Sequence, residues 1–162
     1  MITRIALLFL MGASAIAAEP GEARTPEQVV REMAAAINAR EFNRLDDVVA
    51  PDIRRHSAAT PGVVVENLEQ FKAFLKQDFA AIPDARQDLD FMVSCGNMVA
   101  ARVFYRGHQS GPMGPFPATG KALDIPFLTI LRIEDGKIAE MWVEWDNLNA
   151  LTQLGHFGAK GP

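Results

Sequence analysis

The chain has 162 residues, a formal net charge of −4, 22% charged residues and 49% hydrophobic residues. The length predicts about one domain, and the absence of a basic patch argues against nucleic acid as a partner. The charged and hydrophobic fractions are those of an ordinary globular protein, and the single cysteine, Cys95, excludes an internal disulfide.

The first residues have the order of a secretory signal peptide. Arg4 precedes a run of apolar and small residues that ends in Ala15-Ile16-Ala17, an A-x-A cleavage pattern. Because the run is shorter than the roughly 20 residues that span a bilayer, we expect a signal peptide over residues 1–17, export to the periplasm or the medium, and no membrane attachment after cleavage. A retained membrane anchor is the alternative. Residues 18–24 then form a linker.

Three helices are predicted after the linker. Thr25-Pro26-Glu27-Gln28 has the pattern of a capping box with proline at the first helical position, and an apolar stripe follows it. A second, shorter helix is expected over 42–49 and a third from about Asn67 to Ala81. Between these two helices we expect a short extended piece, 53–57, and a loop that contains Pro61-Gly62.

From Pro83 onwards the hydrophobic pattern changes from helical spacing to alternation. The hairpin Glu134-Asp135-Gly136-Lys137 is the strongest turn signal, and the Gly- and Pro-rich stretch 107–120 predicts a long loop. Helices followed by strands predict an α+β fold, with an antiparallel sheet and helices on one face. The four expected longer strands cover residues 88–94, 98–106, 123–133 and 138–145.

Motifs for several kinds of chemistry are absent from the sequence. It contains no Gly-rich phosphate loop, no H-E-x-x-H, no C-x-x-C and no G-x-S-x-G. The three histidines, His56, His108 and His156, lie on separate predicted elements, so we expect no metal site.

The end of the last predicted strand combines aromatic and acidic residues. Strand alternation places Trp142, Glu144 and Asp146 on one face. If this face lines a cavity, burial would raise the pKa of the Asp146 carboxyl towards a value suited to proton transfer at neutral pH. Alternatively, Asp146 only caps a terminal helix over 147–154, and the pattern alone favours the cap. The opposite face carries Met141, Val143 and Trp145.

Two other charged residues are candidates for the same site. His56 follows two arginines on the short extended piece, and a solvated surface position is as consistent with the sequence as a functional one. Arg102 lies inside an apolar strand, where it either extends to water or pairs with a buried carboxylate. Tyr105 lies on the opposite face of that strand from Arg102.

Four segments carry a family resemblance when they are taken in order and at their spacing. They are A-P-D followed by His56 at 50–56, G-P-F-P-A-T-G-K at 114–121, I-E-D-G-K-I-A-E-M-W at 133–142, and W-D-N-L with Q-L-G at 145–155. From Thr25 to Gly155 the sequence resembles the SnoaL-like polyketide and ester cyclases. The resemblance implies the nuclear transport factor two-like fold, in which a curved sheet wraps around N-terminal helices to form a cone with an internal pocket.

The resemblance also implies a chemistry. Characterised members of that family close a ring in polyketide methyl esters by aldol condensation, without a cofactor, and use an Asp at the end of the last strand as acid–base. We therefore expect a cone domain over 25–155, a loose tail over 156–162, no cofactor, and Asp146 and His56 as catalytic residues. The residues expected to bind substrate are Trp142, Arg102, Glu144, Tyr105 and His108.

The expected ligand is a small apolar carbonyl compound, and the reaction is aldol cyclisation, isomerisation or a related step. A binding module that holds such a ligand without chemistry is the alternative, because fold does not settle function. Since the apolar row on the last strand would then face outward, we also expect a homodimer or a higher homo-oligomer.

Overall fold

The computed structural model describes residues 23–158. The predicted signal peptide over 1–17 and most of the linker lie outside these residues. None of the helices in this part of the chain is long and apolar enough to cross a membrane. The elements are, in order, α1 (Pro26–Ala39), a 3-10 turn (Phe42–Arg44), α2 (Leu45–Val48), β1 (Val49–His56), α3 (Leu68–Ala81), β2 (Arg86–Cys95), β3 (Met98–His108), β4 (Ala122–Glu134), β5 (Lys137–Trp145) and α4 (Asn147–Gln153).

The predicted helix starts are confirmed by the hydrogen bonds at their caps. The Thr25 hydroxyl accepts from the Gln28 amide, and the Gln28 side chain accepts from the Thr25 amide, so both halves of the capping box are present. The Asn67 side chain accepts from the Gln70 amide at 2.9 Å and begins α3. These caps satisfy backbone donors that a helix leaves unpaired in its first turn.

The five strands form one sheet in the order β1-β5-β4-β3-β2. The pairs from β2 to β5 are antiparallel, as predicted, and β1 lies parallel to β5. The prediction of a wholly antiparallel sheet is therefore wrong at this edge, where the short extended piece begins at Val49 and covers the otherwise open edge of the last strand. The α+β class and the curved, cone-forming sheet are confirmed.

The two faces of the sheet differ in what they contact. The inner face packs against α1 and α3, and it includes Leu131 and Met141, which pair across β4 and β5 and are both buried. The outer face carries the next residues along the same strands, Ile130 and Trp142, of which Ile130 is 45% exposed. The hydrophobic effect favours burial of the more apolar side of β5 against the helices.

The end of α3 lies very close to β3. A Cβ atom at Gly107 would lie 2.5 Å from the Cγ2 atom of Ile82, and one at Gly111 would collide with the carbonyl oxygen of Ala80. Strand β3 continues two residues into the predicted loop, to His108, because Gly107 and His108 still pair with β4. The two glycines permit this approach because they lack a side chain, and the approach fixes α3 against the inner face.

Candidate active site

A cavity of about 520 Å³ is enclosed by the inner face, α1 and α3, a size in the usual range of small-ligand pockets, about 300–1,000 Å³. The loop residues 59–63 and 113–116 and the helix α4 complete its wall. Most of the lining side chains are apolar. The polar ones are Arg55, Thr60, Asp78, Gln87, Tyr105, Thr129 and Asn147.

A hydrogen bond between two ionisable groups of this wall joins α3 to β3. The Tyr105 hydroxyl donates to the Asp78 carboxyl at 2.7 Å. Asp78 has intermediate exposure and lines the cavity, and the surrounding protein desolvates its carboxyl and raises its pKa. The hydrogen bond from Tyr105 and the charges of Arg55 and Arg40 act in the opposite direction but leave the pKa of Asp78 raised.

Arg55 contributes the positive charge of the cavity wall. It is 8% exposed, and its guanidinium carbon lies 4.5 Å from the ring centre of Phe74 and 5.9 Å from that of Trp145. The guanidinium donates to the Thr60 hydroxyl at 2.9 Å. Burial lowers the pKa of Arg55, although an arginine stays protonated throughout the physiological range.

Thr129 adds a further polar group to the wall. Its residue is buried on β4, opposite Val143 of β5, and its hydroxyl oxygen has no hydrogen-bond partner among residues 23–158. Asn147 is satisfied, because its side chain donates to the Ala59 carbonyl at 2.7 Å and ties α4 to the neighbouring loop. The cavity is thus apolar, with a few polar groups whose hydrogen-bonding capacity is partly unused.

Asp146 lies outside the cavity lining, which corrects the prediction of a pocket acid. Its carboxyl accepts from the Asn149 amide at 2.9 Å, so it caps α4, and the residue is exposed. The alternation along β5 is as predicted, but the face is reversed. Met141, Val143 and Trp145 line the cavity, whereas Trp142, Glu144 and Asp146 do not.

His56 and Trp142 lie together on the outer face, so their predicted place in the cavity is also wrong. Their rings stack with centres 5.3 Å apart, and the His56 Nε2 atom lies 2.7 Å from a Glu140 carboxylate oxygen. This hydrogen bond, together with one from Arg132, lowers the pKa of Glu140. Alternation along β1 turns Arg55 inward when His56 faces outward.

Three more predicted substrate-binding residues lie outside the cavity lining and are bound to other partners. Arg102 pairs with Asp90 at 2.5 Å. Glu144 accepts from the backbone amides of Ala58 and Ala59 at 2.8 and 3.2 Å.

His108 is likewise outside the cavity lining and pairs with Asp84 at 2.7 Å. Of the seven predicted site residues, Tyr105 alone lines the cavity.

The interpretation of the sequence missed Asp78 and Arg55, although each had a signal. Asp78 follows Leu75 by three residues and Phe71 by seven, so it lies on the apolar stripe of α3, where a charge is unexpected. Arg55 lies two residues after the buried Ile53 on a strand, which places both side chains on one face.

The predicted subunit contact also needs correction, because the apolar row of β5 lines the cavity instead of facing outward. A homo-oligomer therefore stays a prediction, and its subunit contact would be formed by exposed residues of the outer face. Phe91, Val93, Leu128 and Ile130 are the large apolar ones. Within residues 23–158, no three His, Cys, Asp or Glu side chains are placed to hold a metal ion.

Comparisons with known proteins agree with this fold. Among solved structures, TsrD from Streptomyces laurentii is 30% identical, with a TM-score of 0.73 over 81% of this chain and 95% of that chain. IdmH from Streptomyces antibioticus is 27% identical, with a TM-score of 0.72 over 82% and 99% of the two chains. A SnoaL-like polyketide cyclase from Agrobacterium tumefaciens, 23% identical with a TM-score of 0.68 over 82% and 99%, shows the same fold.

A search of curated proteins finds no match to the chain. The family model for SnoaL-like polyketide cyclases matches residues 27–154, which include every element from α1 to α4 except the first residue of α1. The chain therefore belongs to the SnoaL-like polyketide cyclase family.

Proposed function

We propose that the protein is a cofactor-independent acid–base catalyst for a small, largely apolar carbonyl compound, with Asp78 as the group that carries the proton. One observation supports this above the others: a desolvated carboxyl with a raised pKa is hydrogen bonded to Tyr105 in the wall of an apolar cavity. A carboxyl whose pKa is closer to neutral is a better proton carrier at neutral pH.

The proposed step begins with ionised Asp78. Its carboxylate removes a proton from the carbon next to the substrate carbonyl, and the electron pair of the broken C–H bond forms an enolate. Once protonated, the carboxyl is a poorer acceptor, so the Tyr105 hydroxyl becomes free to donate to the enolate oxygen. Donors placed where negative charge develops are a large source of rate acceleration.

Family membership supports an aldol cyclisation or an isomerisation as the overall reaction, since both pass through an enolate. A binding module without chemistry would need no titratable group in its cavity wall. Asp78 and Tyr105 both line this cavity, and this favours the enzyme over the binding module. Export to the periplasm or the medium remains part of the proposal, and the pattern from Arg4 to Ala17 supports it.

The test is the substitution Asp78→Asn, which keeps the size of the side chain and its ability to accept from Tyr105. We expect proton abstraction to fall by roughly 10²–10⁴-fold, the usual contribution of a positioned acid–base group. The rate of proton abstraction is measured by NMR, as the uptake of deuterium from D2O at the carbon next to the carbonyl of 1-tetralone and related aryl ketones.

The matched control for this test is Asp90→Asn. Asp90 pairs with Arg102 and does not line the cavity, so its replacement should leave the exchange rate unchanged. Equal exchange rates in the wild type and Asp78→Asn would contradict the role proposed for Asp78.

A further inference from the structure

The guanidinium of Arg55 is unusual in this molecule because it is buried in an apolar wall with little to neutralise it. An arginine has five N–H donors. Within residues 23–158, the guanidinium makes one hydrogen bond, to the neutral hydroxyl of Thr60, and no salt bridge. A buried charge is costly unless it is paired, so this group has unused capacity for an anion.

The two carboxylates whose charges act on Arg55 are both engaged elsewhere. Asp78 accepts from Tyr105, and Glu144 accepts from the amides of Ala58 and Ala59. Neither lies within 4 Å of the Arg55 guanidinium.

The aromatic neighbours of Arg55 hold its guanidinium without using its hydrogen-bonding capacity. Phe74 and Trp145 contact it through their ring faces, at 4.5 and 5.9 Å from the guanidinium carbon. A guanidinium held in this way keeps its N–H edge for a planar acceptor, and two parallel bonds to a carboxylate are its preferred arrangement. Arg55 lines the same cavity as Asp78.

We infer that the ligand of this cavity is a monoanion, an apolar and preferably aromatic compound whose single carboxylate pairs with Arg55. This inference names the substrate class for the function proposed above and rests on it. The carboxylate would neutralise the guanidinium, while the carbonyl to be enolised lies towards Asp78 and Tyr105. A neutral ester or amide of the same shape leaves the buried charge unpaired.

The experiment compares 2-naphthoate with 2-naphthamide, which have nearly the same shape and differ in charge. Isothermal titration of the purified protein should show that the naphthoate binds roughly 10- to 100-fold more tightly, as expected for a charge-assisted pair. Because this comparison uses the wild type, it does not depend on any variant folding. Equal affinities would overturn the inference.

Variants then assign the preference to one side chain. Arg55→Met should reduce the ratio of the two affinities to about one, and Arg55→Lys should keep part of it. Arg54→Met is the matched control, because Arg54 is the neighbouring residue on β1, is exposed and does not line the cavity. A ratio that survives in Arg55→Met, or that is lost in Arg54→Met, would overturn the assignment.

The same titration separates this inference from the proposed chemistry. Asp78→Asn should keep the preference for naphthoate while it loses deuterium exchange. If Asp78→Asn kept its exchange rate and the preference still depended on Arg55, the acid–base proposal would fail and the carboxylate site would stand. If exchange depended on Asp78 and the wild type did not distinguish the two ligands, the carboxylate site would fail alone.

Discussion

The outer and inner faces of the same sheet differ in whether their charged side chains have oppositely charged partners. On the outer face, several charged groups have a nearby counter-ion, as in the pairs Arg102–Asp90 and Arg132–Glu140. On the inner face, Arg55 has no carboxylate within 4 Å, and Asp78, on the helix α3 that packs against this face, is paired with a tyrosine rather than a cation. Water solvates and screens the charges of an exposed ion pair, so such a pair contributes little to stability, typically about 0–1 kcal/mol.

This difference indicates which residues of the chain are candidates for function. The outer face is richer in charged residues. Four residues that the sequence placed in the site lie on it: His56, Trp142, Glu144 and Arg102. The cavity between the inner face and the helices has fewer polar groups, but their surroundings shift the pKa values of Arg55, Asp78 and Tyr105. Perturbed groups around a cavity are better indicators of a site than a dense cluster of charge in water.

The two tryptophans provide the sharpest test of this contrast, since the chain has one on each face. In Trp142→Phe the remaining Trp145 lines the cavity, and saturating 2-naphthoate should strongly quench its fluorescence. In Trp145→Phe the remaining Trp142 stacks on His56 outside the cavity lining, and its emission should change little. Similar quenching of both single-tryptophan variants would break the distinction between the faces.

The pH dependence of stability gives a second, smaller effect. The pKa of Asp78 is raised in the folded state, so between its ordinary value and its folded value the native protein binds the proton more tightly. The contribution of Asp78 to the free energy of unfolding is therefore highest at low pH and falls as pH rises through the pKa of the folded state. Asp78→Asn removes this loss, so its stability relative to the wild type should increase with pH.

Urea unfolding at a series of pH values measures that trend. Asp90→Asn gives the background of losing a carboxylate on the outer face, where Asp90 lies beside Arg102. A stability difference between Asp78→Asn and the wild type that does not vary with pH would show that the carboxyl is not desolvated.

The smallest effects are expected at Asp146. As a helix cap, it should tolerate Asp146→Asn almost without change, whereas Asp146→Ala should lose about 0.5–2 kcal/mol of stability because the Asn149 amide loses its acceptor. Neither variant should alter the affinity for 2-naphthoate or the rate of deuterium exchange. A tenfold loss of exchange in Asp146→Asn would return this residue to the catalytic site.

Local signals predicted much of the fold. The capping box at Thr25, the cap at Asn67 and the turn at Asp135-Gly136 depend on residues only a few positions apart, and each is present in the structure. The alternation along β5 was also predictable, because successive side chains of any strand point to opposite sides. The four segments at 50–56, 114–121, 133–142 and 145–155, taken together and in order, indicated the family that its model confirms.

Tertiary structure alone decided which side of β5 faces the cavity. A period of two is the same for either face, so alternation cannot distinguish the row of Trp142 from the row of Met141. The choice depends on burial against helices that are far away in sequence. In the same way, Asp78 meets Tyr105, 27 residues later, because α3 approaches β3 at Gly107. The sequence by itself determined the elements and the family, whereas non-local packing decided which polar residues share the cavity.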